Sequence, residues 1–593
     1  MSESKLEKFR NILKNEHIDA FIIPTSDPHK SEYIADYWKL REWISGFSGS
    51  AGTAVITQNH AGLWTDSRYF VQAEKQLHKP FVLHKLKTRG PEYIDWLLKN
   101  LNPKYNVGFD PRLFSASEVE NLTNRLNTKQ IQIVPTSSLF NDIWKNRPPL
   151  PNNLIINHDT NFNELTRLQK IEKIRTHIKE NDSKQIIISS LDDIAWLLNL
   201  RGSDIKYNPV FSAFVLINHN DCYLFVDGKK LTPEAQASLK KDKITIKPYS
   251  EIENHLKTDN SLTNIEVDAD TINYSIIKSI PQQCKIKLNK SIVTKLKAIK
   301  SKIEIGHYKN AQIRDGLAMC NFLHWLDTHI KTDSITEIDA AKKSEEFRSV
   351  QDNYMGLSFE VISAYQENAA LPHYSPDSEK PVLLKPKGMY LVDSGAQYLD
   401  GTTDITRTVA LGEITPQQKT DFTLVLKGHI RLATAKFPFG TKGFHLDTLA
   451  RLDLWQHGKD YGHGTGHGIG YFLNVHEGPQ GFSQAQTGTA NTVIEPGMLI
   501  TDEPGIYIEG KYGIRIENVL ACVEDNSAAE GKFLKFETVT YCPIDKRLID
   551  IPLLTDNEKH WINSYHKQVY ELISPIAPEL IQQWLKENTL PLL

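Results

Sequence analysis

Two segments of this chain end an apolar run on an acid, pass through a glycine-containing turn, and return to a second acid. One is LVDSGAQYLDGTTDITRT (391–408), with Asp393 and Asp404; the other is LITDEPGIYIEGKYGIRIENV (499–519), with Glu503 and Glu517. Strand–turn–strand geometry would bring each pair of carboxylates together across a hairpin. Like charges opposite one another repel, and burying two carboxylates without a counter-charge costs more still. Two such pairs in related hairpins need cations between them. Arg407 and Arg515 offer some of that charge, so a structural salt-bridge network is one reading. A metal centre is the other. Four carboxylates are too many for one catalytic zinc. They suit two divalent ions about 3.5–4 Å apart that activate a water and polarise a carbonyl. By ligand softness, an oxygen-rich set with one imidazole suits Mn²⁺, Fe²⁺, Co²⁺ or Zn²⁺.

The imidazole lies between the two segments. DYGHGTGHGIG (460–470) places glycine at 462, 464, 466, 468 and 470, with His463, Thr465 and His467 between them. No helix tolerates that glycine content, so this is not a helical two-histidine metal motif. Read as an extended segment, it has all five glycines on one side and His463, Thr465 and His467 on the other. At about 3.3 Å per residue the two histidines then stand about 13 Å apart, too far to share one ion. The bare glycine side would admit close packing of another backbone.

These residues need a large scaffold to position them. A chain of 593 residues is long enough for three or four domains. With 40% hydrophobic and 24% charged residues it is globular, and a net charge of −3 gives no footprint for nucleic acid or an anionic membrane. No apolar run reaches the roughly 18 residues of a membrane helix. The charged, helix-like N-terminus lacks a secretory core; Ser4 and Glu7 form a candidate capping box, with Leu6, Phe9 and Leu13 on the buried face. Five scattered cysteines read as reduced thiols, which points to the cytoplasm.

KNRPPLPNN (145–153) marks one boundary, and a long helical pattern beginning near 295–305 marks a second. The chain therefore divides into 1–150, 151–303 and 304–593. The first two parts repeat one order of elements: a buried strand (DAFIIPTSD; KQIIISSLDD), a helix (EYIADYW; IAWLLNL), then a hairpin ending at Asp66 or Asp227. In the third part, Ala311, Asp315 and Ala318 lie along one side of the long helix. DFTLVLKGHIRLATAK (421–436) is amphipathic, with Phe422, Val425, Leu426 and Ile430 on one face. A helix over 554–575 carries a Trp561, Tyr565, Val569, Leu572 stripe, suited to a core or a partner subunit.

The ordered set Asp393, Asp404, His467, Glu503, Glu517 resembles the five-ligand centre of the pita-bread metallopeptidases, which include methionine aminopeptidase, prolidase and aminopeptidase P. Within them the chain is most similar to the three-domain Xaa-Pro aminopeptidases. FSGSAGTAVIT and LWTDSRYFVQAEKQL (47–77), DIWKNRPPLP, NVHEGPQGFS (474–483) and the tail from YCPIDKRLID carry that likeness. The resemblance implies an α/β fold with two creatinase-like N-terminal domains and a pita-bread catalytic domain with a helical extension. It implies a cytoplasmic homodimer that removes the first residue from peptides with proline second, using two divalent ions, Mn²⁺ foremost and Zn²⁺ or Co²⁺ as alternatives. Asp393 would bind one ion, His467 and Glu503 the other, and Asp404 and Glu517 both. Glu503 would also move a proton to the leaving amine. His476 would contact the scissile carbonyl, and His463 and His373 the substrate proline. Arg515 would orient a ligand carboxylate, with Tyr507 facing the same cleft. On residues alone, His373 is a loop residue after a proline, His476 a turn residue, and His457 a surface cation at a helix end.

Two segments depart from the family pattern. AIKSKIEIGHYKNAQIRDG is less polar than usual, and AYQENAALPHY lacks the glycine-rich form of its loop. Neither touches a ligand. A metal-free creatinase-like hydrolase is a second enzymatic reading, opposed by the intact acid set and decided by metal analysis. A non-catalytic peptide-binding module is a third, which unchanged peptidase activity in Asp404→Asn would revive.

Overall fold

The computed structural model describes residues 4–87, 90–377, 379–527 and 531–592. It forms two compact units. One takes most of the chain up to Val293; the other takes Thr294 onward together with Asp159–Glu164 and Tyr207–Pro209.

The first unit opens on helix α1 (Lys5–Asn15), started by the Ser4–Glu7 capping box and burying Leu6, Phe9 and Leu13. It contains two six-stranded sheets. The strands of the first are β1 (Ala20–Pro24), β2 (Thr53–Thr57), β3 (Ala61–Thr65), β4 (Val82–Lys85), β5 (Asn106–Phe109) and β6 (Gln132–Pro135), in the order β4-β3-β2-β1-β5-β6. Those of the second are β7 (Gln185–Ile188), β8 (Ala213–Asn218), β9 (Cys222–Val226), β10 (Thr245–Lys247), β11 (Asn264–Val267) and β12 (Lys285–Leu288), in the order β10-β9-β8-β7-β11-β12. Order and strand directions agree throughout: the first strand pairs antiparallel with the second and parallel with the fifth in both sheets. The hairpin-ending acids also match. Asp66 Oδ1 accepts from the Arg68 amide and Asp227 Oδ1 from the Lys229 amide, each at 3.1 Å. The helix expected at EYIADYW is displaced: only a 3-10 turn forms at Asp36–Trp38, and the helix follows at Leu40–Ser45. The six residues of that helix bury Leu40, Arg41, Ile44 and Ser45, whereas the 3-10 turn buries only Trp38, so tertiary packing places the helix.

In the second unit, α2 (Lys302–His329) buries Ala311, Asp315 and Ala318. Asp315 is tolerated there because Arg348, on α3 (Glu337–Ser349), holds it at 2.7 and 3.2 Å, and the Tyr398 hydroxyl adds a bond of 3.0 Å. β13 (Ile362–Tyr365) pairs with β14 (Met389–Ser394), which continues into the hairpin β15 (Ala396–Tyr398), β16 (Gly401–Thr402) and β17 (Ile405–Ala410). Helices α4 (Pro416–Ala433) and α5 (Gly443–Trp455) follow. His457 is exposed just past the end of α5. The second hairpin comprises β18 (Leu499–Asp502), β19 (Gly505–Ile508), β20 (Tyr512–Arg515) and β21 (Asn518–Glu524). Helix α6 (Asp556–Ile573) puts Tyr565 and Val569 into one core with Phe422, Val425, Leu426 and Ile430 of α4, and Trp561 and Leu572 pack against it. The α6 stripe is therefore covered by the chain's own core. All five cysteines are buried and free. Among the described residues no helix is long and apolar enough to cross a membrane.

Candidate metal centre

Each hairpin is a ladder with one interruption, and three of the four acids sit at an interruption while Asp393 lies in the ladder just before one. In the first, Asp393 pairs with Thr406 and Ser394 with Ile405; pairing resumes beyond the break with Gln397 opposite Thr402. Asp404 lies at the break. In the second, Asp502 pairs with Asn518, and pairing resumes with Gly505 opposite Arg515, so Glu503 and Glu517 occupy the break. Their backbone amides find partners outside the hairpin. Glu503 N–H donates to Thr465 O (2.8 Å) and Glu517 N–H to Thr406 O (3.1 Å). The second of these bonds joins the two hairpins. The Thr406 hydroxyl donates to Glu517 Oε2 (2.7 Å), and the Thr408 hydroxyl accepts from the Arg515 amide (3.1 Å).

Donor atoms of Asp404, His467 and Glu517 all lie within 4.8 Å of one another. His467 Nε2 is 3.4 Å from Asp404 Oδ2 and 3.7 Å from Glu503 Oε1. Those separations are long for hydrogen bonds. They match atoms that share an ion at about 2.0–2.2 Å each. His467 Nδ1 faces Gly468 O at 3.0 Å. A carbonyl only accepts, so Nδ1 carries a hydrogen and Nε2 is the nitrogen turned to the acids, the orientation a metal ligand needs.

The two arginines of the salt-bridge reading answer little of this charge. Arg407 spends its guanidinium on the carbonyls of Thr406, Glu517, Cys542 and Pro543, on Asn518 and on the Tyr565 hydroxyl. Arg515 bonds one carboxylate of the four, Asp393 Oδ2 at 2.6 Å. Asp393 Oδ1 is buried without a hydrogen-bond partner among the described residues. Burial, then the neighbouring Asp393, holds the Asp404 carboxyl well above its ordinary range. Burial, then Asp404 and Glu503, does the same to Glu517. Burial pushes Glu503 up to about 7, against the pull of His467 and Arg515. Buried acids that raise one another's pKa, a carboxylate oxygen without a hydrogen-bond partner among the described residues and an imidazole nitrogen turned toward them together fit divalent cations.

Around this cluster, Arg515 Nη1 donates to the Tyr507 oxygen (2.7 Å), which lies 2.8 Å from His463 Nε2. His463 Nδ1 faces Gly464 O at 2.7 Å, so Nε2 is the acceptor and the Tyr507 hydroxyl donates to it. Burial raises the Tyr507 phenol to about 12, which keeps that hydrogen in place. The His476 ring stands edge-on to His467 with centroids 4.3 Å apart. His373 is half-buried in a turn directly after Pro372, whose carbonyl lies 3.5 Å from Arg515 Nη2.

The glycine–histidine stretch is not the extended strand its alternation suggests. Only Gly466–His467 is strand, paired with Gly481–Phe482, and the residues before it bend. Thr465 is turned to other work: its hydroxyl lies 2.5 Å from both Asp447 on α5 and the Tyr461 hydroxyl. Alternation set by close packing, not by a continuous ladder, explains the difference. A Cβ on Gly466 would stand 1.8 Å from Thr501 O, and one on Gly468 2.1 Å from Glu477 O. Sequence reasoning passed over Thr406, Thr408 and Thr501; the Thr501 hydroxyl accepts from the His467 amide at 3.0 Å. The alternating threonines of DITRT were the available signal.

The sequence matches metallopeptidase family M24 over 306–524 and the C-terminal region of that peptidase family over 532–592. The creatinase/prolidase N-terminal domain matches in two forms, over 5–143 and 146–304. A probable Xaa-Pro aminopeptidase P of Laccaria bicolor is 40% identical over 99% of this chain and 93% of its own length. Xaa-Pro aminopeptidase 1 of Dictyostelium discoideum is 41% identical over 99% and 96%. Among solved structures, the X-prolyl aminopeptidase of Caenorhabditis elegans, described as a cytosolic enzyme with a di-nuclear active site, superposes with a TM-score of 0.94 at 36% identity over 99% of both chains. A Xaa-Pro dipeptidase from Bacillus anthracis reaches 0.52 at 28% identity, covering 99% of its own chain and 64% of this one.

Proposed function

The chain belongs to metallopeptidase family M24, and from that premise we propose that it hydrolyses the bond between an N-terminal residue and a following proline. The observation that carries the reading is the acid cluster: four carboxylates and the Nε2 of His467 converge, and Arg515 bonds Asp393 among them. Near full-length likeness to Xaa-Pro aminopeptidases supports the substrate class.

In this proposal two divalent ions, Mn²⁺ foremost, would be held by Asp393, Asp404, His467, Glu503 and Glu517. Bound there, they supply a hydroxide at neutral pH and polarise the carbonyl under attack. Arg515 fixes the Asp393 carboxylate through its 2.6 Å bond, and Thr406 fixes Glu517 through the 2.7 Å bond. Glu503 takes a proton and passes it to the leaving amine, a role open to a carboxylate that faces the site. His476 stands beside His467, where an N–H can donate to the developing oxyanion. His463, held by Tyr507, and His373 line the proline side. Proline offers no N–H and a fixed φ, so a pocket that requires neither selects it.

We divide the chain into domains at 1–150, 151–303 and 304–593, supported by the matched spans and the two equivalent sheets. A cytoplasmic location is supported by five free buried thiols and the cytosolic relative. A homodimer rests on family resemblance alone, since the α6 stripe is internally covered; sedimentation would test it. The activity is tested with one Xaa-Pro-Xaa tripeptide and one Xaa-Pro dipeptide, under Mn²⁺, Zn²⁺ and chelator. Tripeptide turnover that chelator abolishes is the expected result. Cleavage of the dipeptide alone would make the protein a prolidase instead.

A further inference from the structure

The loop 366–374 lacks the glycine-rich form expected of its family, and it carries His373. One buried carboxylate organises it. Glu337, the first residue of α3, is fully buried. Its Oε1 accepts from the Tyr365 amide (2.6 Å) and Asn368 Nδ2 (3.0 Å). Its Oε2 accepts from the Tyr374 hydroxyl (2.7 Å) and from Asn368 Nδ2 (3.2 Å). All these donors belong to the segment 365–374, so a single side chain gathers both ends of the loop. The loop's other side rests on the second hairpin. A Cβ on Gly513 would stand 1.7 Å from Ala369 O, and the Pro372 carbonyl faces Arg515 Nη2 at 3.5 Å. His373 therefore sits between a residue facing Arg515 and a residue tied to Glu337.

The helix itself does not need this carboxylate. The Thr336–Asp339 capping box starts α3. Apolar packing at Tyr374 comes from Ile362, Ala364, Ala369 and Leu391. A buried carboxylate is costly unless its lone pairs are used, and every bond it accepts here constrains the His373 loop. We propose that Glu337, acting through Tyr374 and Asn368, is a positioning residue that fixes His373 against the substrate proline. This rests on the placement of His373 given above.

The test uses the metal-loaded full chain and a Xaa-Pro-Xaa tripeptide, with Tyr374→Phe, Glu337→Gln, His373→Ala and the Tyr374→Phe/His373→Ala double variant. Losing one charge-assisted hydrogen bond predicts a KM for Tyr374→Phe higher on the order of tenfold, with kcat changed less than about threefold. Metal content stays at the wild-type value, while the melting midpoint falls because buried Glu337 loses one of its bonds. In the His373→Ala background the same change shifts KM less than about twofold, because the coupling partner is gone. Equal KM effects in both backgrounds, a fall in kcat without a change in KM, or failure of both Tyr374→Phe and Glu337→Gln to fold would overturn the proposal and make the cluster structural only. Inactivity of the wild type on the tripeptide would instead remove the functional reading, and this inference with it.

Discussion

Tyr507→Phe isolates the arm that joins Arg515 to His463. The phenol oxygen accepts from Arg515 Nη1 at 2.7 Å and its hydrogen goes to His463 Nε2 at 2.8 Å. The first bond is charge-assisted, worth about 1.5–3 kcal/mol, and the second is neutral, worth about 0.5–1.5 kcal/mol. Their sum would be about 2–4.5 kcal/mol. Tyr507 is half-buried, so water replaces part of what is lost, and about 2 kcal/mol remains. That is roughly a 30-fold fall in kcat/KM. The phenol's displacement to about 12 keeps it protonated across the assay range, so the pH profile keeps its shape while the rate drops. The assay is tripeptide hydrolysis at saturating metal, with metal content and melting midpoint measured alongside. A change in kcat/KM below about threefold with the fold intact would refute a role for this arm in holding His463.

Metal binding to the apo-protein will release protons at pH 6–7, because Glu503 lies near 7 and Asp404 and Glu517 lie above their ordinary range. Calorimetry in buffers of different ionisation enthalpy reads this; heats that do not change with buffer would contradict it. These folded-state values are raised. Their contribution to apo stability is therefore full below the unfolded carboxyl value of about 4.3 and is lost as pH rises through about 7. The apo melting midpoint should thus gain from acidification between pH 8 and 6 relative to the metal-loaded protein, and parallel curves would count against it. Gly466→Ala pushes a Cβ to 1.8 Å from Thr501 O and should cost more than about 3 kcal/mol in denaturant titration, while Gly462→Ala, with nothing within 4 Å, should stay within about 1 kcal/mol. Equal costs would mean the glycine spacing is not a packing requirement. Arg407→Gln should destabilise the fold by about 3 kcal/mol or more, since it strips a buried guanidinium from four carbonyls; a near-neutral melt would show that water fills the gap.

The helices and the internal repeat were legible because their signals are local. The Ser4–Glu7 box, the Phe422 to Ile430 face and the Tyr565–Val569 stripe each follow a period of three to four residues set by the backbone. The segment EYIADYW shows the limit, since so short a run is decided by capping and by tertiary packing. The four acids stood out for a similar reason, as paired like charges beside apolar strands. Other features were decided only by the tertiary structure: the break in each ladder that holds an acid, the turning of Arg407 to carbonyls and of Arg515 to Asp393, the turning of His467 Nε2 toward the acids, and the gathering of the His373 loop by Glu337. The glycine alternation looked like a strand because sequence records residue type and not what packs against it. Apart from His467, whose Nδ1 meets the carbonyl of the next residue, the deciding partner comes from outside the local pattern, commonly dozens of positions along the chain. Hydrogen-bond direction and close approach then depend on distances of tenths of an ångström that no periodicity encodes.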